Sequence, residues 1–273
     1  MNSKIKKILS KKNKKKIICL TAYSKSFAEV TDKYADITLV GDSLGSVLYN
    51  YDTTKKVTLT QMIEHSKSVR KGIKTSLMVV DMPYNTYRNK KEALINAKKI
   101  IKSTKCDAVK IESNNKNFEI IKEIRKAKIP VMGHIGLQPQ SVVIDGGYKI
   151  KGKNKFDWSK YIDDAKALED AGAFSMVLEG MAEPLAKVIT SQISIPTIGI
   201  GASPSCDGQI LVTEDMIGLT NITPKFVKEY INIGKLIEEA ANSYSNEVRN
   251  KEFPTKNHTY SMNPTIIKSN KSN

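Results

Sequence analysis

The sequence predicts an α/β protein of the (β/α)8 barrel class. Eight apolar runs of strand length alternate with helix-like stretches along one continuous chain of 273 residues, the order that builds a parallel sheet with helices outside it. Most of these runs are apolar throughout rather than alternating, as strands covered on both faces are. No Gly-x-Gly-x-x-Gly turn follows the first run, which removes the usual sign of a doubly wound dinucleotide-binding sheet.

The elements follow in order. After a basic leader at about residues 1–15, KIICLTAY (Lys16–Tyr23) reads as the first strand and Ser24 to Tyr34 as a helix. ITLVGD (Ile37–Asp42) is the second strand. A turn-rich segment with Gly45, Asn50 and Asp52 leads to a helix from Thr60 to Gly72. SLMVVDMP is the third strand, stopped by Pro83, which lacks the N–H a ladder needs; a helix from Lys90 to Ser103 follows. AVKIES is the fourth strand, followed by a helix at Phe118–Ala127, and IPVMGHIG is the fifth strand. Gln138–Lys155 is a loop too long for a plain connector, the length at which loops carry function. Trp158–Ala171 is a helix, FSMVLEG the sixth strand, and Pro184 opens another helix in its first turn. IPTIGIG and GQILVTED (Gly208–Asp215) are the seventh and eighth strands, Lys225–Val248 a long amphipathic helix, and residues 255–273 a weakly ordered polar tail. Nothing divides the chain, so residues 1–273 are expected to form a single barrel domain.

Four of the strands end in a carboxylate: Asp42, Asp81, Glu112 and Glu179. Chemistry in such barrels is done at the C-terminal ends of the strands, and buried carboxylates repel one another unless a cation neutralises them. Lys110 lies two residues before Glu112 and therefore on the same strand face. Oxygen donors without a His or Cys cluster suit a hard ion, magnesium better than calcium, and Lys110 supplies a point charge for an anionic substrate group. Taken singly, each acid also fits a turn former or helix cap; their recurrence at one end of the sheet is what points to a site. His134 in the fifth strand fits a hydrogen-bonded core histidine as well as a substrate contact.

A net charge of +16 from 44 Lys and Arg against 28 Asp and Glu raises the question of nucleic acid. The lysines are dispersed, however, and with six Phe and one Trp there is no basic–aromatic interleaving for stacking on bases. The densest run, Lys11–Lys16, reads as solvated leader. The three cysteines (Cys19, Cys106, Cys206) are odd in number and set in or beside apolar runs, which predicts free thiols. No bilayer-length apolar run and no signal-like segment is present, so a cytoplasmic location is expected.

Eight segments in order, VGDSLG (Val40–Gly45), DMPY (Asp81–Tyr84), VKIE (Val109–Glu112), GHIGLQPQ (Gly133–Gln140), GGYKIKGK (Gly146–Lys153), VLEG (Val177–Gly180), IPTIGIGA (Ile195–Ala202) and DGQILV (Asp207–Val212), closely resemble the ketopantoate hydroxymethyltransferase family. The likeness runs from about Lys16 to Pro254. It implies a (β/α)8 TIM barrel of the phosphoenolpyruvate-mutase/pyruvate-kinase type, Mg2+, and transfer of a hydroxymethyl group from 5,10-methylenetetrahydrofolate to 3-methyl-2-oxobutanoate in pantothenate biosynthesis. By position it implies Asp42, Asp81 and Glu112 at the metal, Asp42, Ser43, Asp81 and Lys110 at the oxo acid, Glu179 as catalytic general base, and a homodecamer. The chain departs from the family pattern at Ser24, Tyr34, Ser46, Tyr84 and Ser203, none of them an implied metal, substrate or base position. The competing expectations are another Mg2+-dependent 2-oxo-acid lyase or mutase on the same barrel and, from a different class, a basic nucleic-acid-associated protein.

Overall fold

A computed structural model describes residues 2–114, 117–141, 149–220 and 224–261. Eight parallel strands close into a barrel in sequence order: β1 (Ile17–Thr21), β2 (Ile37–Val40), β3 (Leu77–Asp81), β4 (Ala108–Glu112), β5 (Val131–Gly136), β6 (Ser175–Glu179), β7 (Thr197–Ile200) and β8 (Gly208–Leu211). The helices are α1 (Ser3–Leu9), α2 (Lys25–Thr31), α3 (Leu44–Tyr49), α4 (Leu59–Gly72), α5 (Lys90–Thr104), α6 (Phe118–Lys126), α7 (Trp158–Asp170), α8 (Glu183–Gln192), α9 (Thr213–Met216) and α10 (Ile233–Arg249). The predicted fold class is the observed one.

Alternation along the strands divides the apolar residues between two cores. Inside the barrel, Ile17, Cys19, Ile37, Leu39, Leu77, Val79, Val177 and Ile198 pack together. Their outward neighbours, among them Val40, Val80, Val109, Ile111 and Leu178, pack against the helices. Gly133 on β5 belongs to the outer layer, where an added Cβ would lie 2.1 Å from Leu168 of α7. Helix starts are set by local chemistry: Thr58 and Gln61 form a reciprocal capping box on α4, and Asn89 caps α5 through the Glu92 N–H. The three cysteines are free and buried.

Four expectations need correction. The basic leader is not simply solvated: α1 buries Ile5 and Ile8 against the barrel interior. Behind it, Lys11 pairs with Asp36 and Lys12 with Asp207, while Lys16 donates to the carbonyls of Pro204 and Cys206. The turn-rich segment holds a helix, α3, ended by Asn50 in the left-handed region at φ 52°. The eighth strand stops at Leu211, and Thr213 to Asp215 belong to α9. The long helix begins at Ile233 rather than Lys225; the chain before it is fixed by the Tyr230 N–H to Met216 O and the Ile233 N–H to Ile217 O. Part of the Gln138–Lys155 loop (residues 142–148) and most of the polar tail (residues 262–273) lie outside the described residues. No helix among the described residues is long and apolar enough to cross a membrane.

Candidate active site

Strand period and register assemble the mouth. Asp81 of β3 stands across from Lys110 of β4, Glu112 of β4 across from His134 of β5, and Glu179 of β6 across from Ile200 of β7. All six line one cavity of about 140 Å3 at the C-terminal ends of the strands. Asp42 enters from the turn after β2, where Gly41 leaves room: a Cβ there would lie 2.9 Å from Ser43 Oγ and 3.4 Å from Asp81 Oδ2. Ser43 follows, its hydroxyl sharing a 2.8 Å hydrogen bond with the Tyr23 hydroxyl.

Asp81 is the hub of one network. Its Oδ1 accepts from Lys110 Nζ at 2.8 Å and its Oδ2 from the Asp42 N–H at 3.1 Å. Gln140 ties the other two acids together, its Nε2 donating to Asp42 Oδ2 at 2.7 Å and its backbone N–H to Glu112 Oε1 at 3.1 Å. The Tyr87 hydroxyl in turn donates to Gln140 Oε1. Glu112 Oε2 is buried and makes no hydrogen bond.

The electrostatics follow from this crowding. Burial, and then the Asp81 charge, push Asp42 up to about 7. Burial, and then Asp42, raise Glu112 well above the usual carboxylate range. Burial alone would lower Lys110, but the Asp81 and Asp42 charges outweigh it and hold the ammonium charged. Oxygen donors with raised pKa values and one orphaned carboxylate oxygen need positive charge beyond what Lys110 supplies. Asp42, Asp81 and Glu112 could together hold a hard cation, Asp81 with one oxygen also paired to Lys110. Among the described residues, though, no three His, Cys, Asp or Glu side chains converge as a ready-made metal cage. The set fits an ion that keeps part of its coordination shell for water or substrate.

Glu179 takes no part in the network that joins Asp42, Asp81, Lys110 and Glu112. Its Oε2 lies 3.3 Å from His134 Nε2, and its side chain is 21% exposed. His134 is 2% exposed, lies between Glu179 and Glu112, and has no hydrogen bond of good geometry at either ring nitrogen.

A family model described as ketopantoate hydroxymethyltransferase matches residues 2–256. The chain belongs to the ketopantoate hydroxymethyltransferase family. It is 58% identical over 260 residues to the 3-methyl-2-oxobutanoate hydroxymethyltransferase of Pelagibacter ubique, covering 95% of this chain and 100% of that protein. It is 49% identical to the protein of the same name from Parvibaculum lavamentivorans, covering 96% and 98%. Among solved structures, a phosphonopyruvate hydrolase superposes with a TM-score of 0.61 at 9% identity, covering 94% of this chain and 93% of that one. A 2,3-dimethylmalate lyase of the phosphoenolpyruvate-mutase/isocitrate-lyase superfamily gives 0.60 at 13%, covering 94% and 92%. At such identities the structural likeness concerns the fold, so the lyase and mutase alternative gains nothing in activity from it.

The motifs shared with the ketopantoate hydroxymethyltransferase family fall largely on this mouth, and the structure brings Asp42, Ser43, Asp81, Lys110, Glu112 and Glu179 to one cavity. Sequence reasoning missed Gln140 and Tyr87 as the links among the acids. Their signal was the second Gln of GHIGLQPQ and a Tyr three residues after DMPY, neither informative without the fold. It also missed Asp215 and Phe226, which line the same cavity. Three of the departures from the family pattern lie outside the acid network: Ser24 caps α2 through the Phe27 N–H, Tyr34 is exposed, and Ser203 donates to Glu183.

Proposed function

We propose that this mouth transfers a hydroxymethyl group from 5,10-methylenetetrahydrofolate to 3-methyl-2-oxobutanoate, giving 2-dehydropantoate for pantothenate biosynthesis. The observation that carries the reading is the separation of Glu179 from the network of Asp42, Asp81, Lys110 and Glu112 within a single cavity. One arc can hold an anionic oxo acid while a free carboxylate works on its alkyl side.

Asp42, Asp81 and Glu112 would hold Mg2+, with Asp81 also fixing Lys110. When bound, the ion supplies Lewis-acid stabilisation of negative charge on the substrate's keto oxygen. Lys110 and the Ser43 hydroxyl orient the substrate carboxylate and keto group. Leu39, Val177 and Ile210 give the branched alkyl end an apolar seat. Glu179 takes the C3 proton, and C3 then forms its bond to the donor's methylene carbon. That carbon's bonds to nitrogen break, water provides the hydroxyl oxygen, and tetrahydrofolate leaves. His134, 3.3 Å from Glu179, restricts where that carboxylate can swing.

Assembly as a homodecamer belongs to the same reading. It is supported by α10, which buries none of its residues and exposes Leu236, Ile237, Tyr244 and Val248, an apolar face of the kind that marks association surfaces.

Proton exchange tests the chemistry. With MgCl2 and 3-methyl-2-oxobutanoate in D2O, the protein should exchange the C3 proton without any folate, and Glu179→Gln should slow that exchange by about 10^2- to 10^4-fold. Absence of exchange in the unaltered protein would falsify the base mechanism. Exchange without product formation from methylenetetrahydrofolate would favour a lyase or mutase instead.

A further inference from the structure

The barrel order places the acids of β2, β3 and β4 on one arc of the mouth and Glu179 on β6. Beyond Glu179 the mouth continues over β7 and β8, the side from which a second substrate could present a carbon atom to C3. That arc carries a different surface. Ile200 and Val212 form an apolar wall, Asp215 lies half-buried on α9, and Phe226 stands at the rim, 41% exposed. None of them joins the acid network.

Both polar and apolar members of this arc are held in place. Asp215 Oδ1 accepts from the Thr220 hydroxyl at 2.6 Å, which fixes the carboxylate while leaving Oδ2 and a further lone pair for a ligand. Phe226 packs closely on the chain at Gly201, where a Cβ would come within 2.9 Å of its ring. A reduced pterin presents matching features: flat faces, and a ring N–H beside an exocyclic amino group, two parallel donors that suit one carboxylate. A large apolar side chain at the rim of a polar pocket, beside one fixed carboxylate, is the combination that recognises such a ring. Burial also raises the pKa of Asp215, partly offset by Thr220, so its charge gains from two added N–H donors.

We infer that Asp215 and Phe226 form the subsite for the pterin ring of the one-carbon donor, with Asp215 accepting from its amidine-like edge and Phe226 covering one face. The inference rests on the folate-dependent reading above and extends it to named contacts.

The test measures tetrahydrofolate affinity by calorimetry in the presence of Mg2+ and 3-methyl-2-oxobutanoate, together with both KM values. Asp215→Asn keeps the size and an acceptor for Thr220 but turns one acceptor into a donor. It should weaken tetrahydrofolate binding by about 10- to 100-fold while the KM for the oxo acid changes less than about twofold. Phe226→Leu should weaken the donor alone by a smaller factor. Wild-type protein should bind 2-desaminotetrahydrofolate much more weakly than tetrahydrofolate, and Asp215→Asn should lose that preference. Unchanged donor affinity, or equal rises in both KM values, overturns the subsite and leaves the reaction standing. Wild-type protein that exchanges the C3 proton yet fails to bind tetrahydrofolate overturns the folate donor itself, and the subsite with it.

Discussion

Asp42 shows how one side chain can report on the ion expected beside it. Its folded pKa, about 7, lies above the roughly 3.9 of an unfolded aspartate, so the folded chain binds the proton more tightly. The stability from that bound proton is complete below about pH 4 and is lost as pH rises through 7. Glu112, also raised, acts in the same sense. A divalent cation competes with these protons, and so should stabilise most where they have left. MgCl2 at about 100 times its Kd should add about 2.7 kcal/mol at pH 8 and much less at pH 5. Thermal melts at the two pH values, with and without Mg2+, check this; equal shifts would count against the site. The acids and Lys110 were legible in the sequence because strand ends and the period of two define them. Gln140 and Tyr87 were not, because loop residues meet only after the barrel closes.

At the scale of elements, Asp32 anchors the segment that enters β3. Its carboxylate accepts from the N–H groups of Lys74, Thr75 and Ser76 and from the hydroxyls of Thr75 and Ser76. Burial opposes the charge, but the Ser76 bonds and the further N–H donors win and hold Asp32 down to about 2. A depressed carboxylate stabilises above its unfolded pKa and loses that contribution as pH falls through the folded value. Asp32→Asn should therefore cost about 2 kcal/mol at neutral pH, and the gap from the unaltered protein should close between about pH 4 and pH 2. Urea melts across that range measure it. Every strand was legible from its apolar run, but several were read too long at the C-terminal end. There the chain leaves the ladder and turns a carboxylate toward the mouth, as after Val40 and after Leu211. α3 was missed because Gly45 and Ser46 are weak helix formers. The start of α10 was set too early because the apolar pattern continues back through a segment that hydrogen bonds to α9 and its C-terminal end instead.

For the whole molecule, the proposed decamer predicts a mass near ten times the 30.4 kDa of one chain in light scattering; a species near one chain would sink it. A +16 surface adds repulsion between copies, so the assembly should tighten as salt screens it. The global fold was readable because alternation of strand and helix persists along the chain, whereas the burial of α1 was hidden by the lysines around Ile5 and Ile8. That helix has a practical consequence. Ile5 and Ile8 seat against the interior strands, and Lys4 reaches the Ser76 carbonyl just ahead of β3, so α1 closes the end of the barrel opposite the mouth. A linker attached ahead of Ser3 would leave from the closed end, so protein anchored to a bead or electrode that way would turn its open face toward the solution and its dissolved reactants.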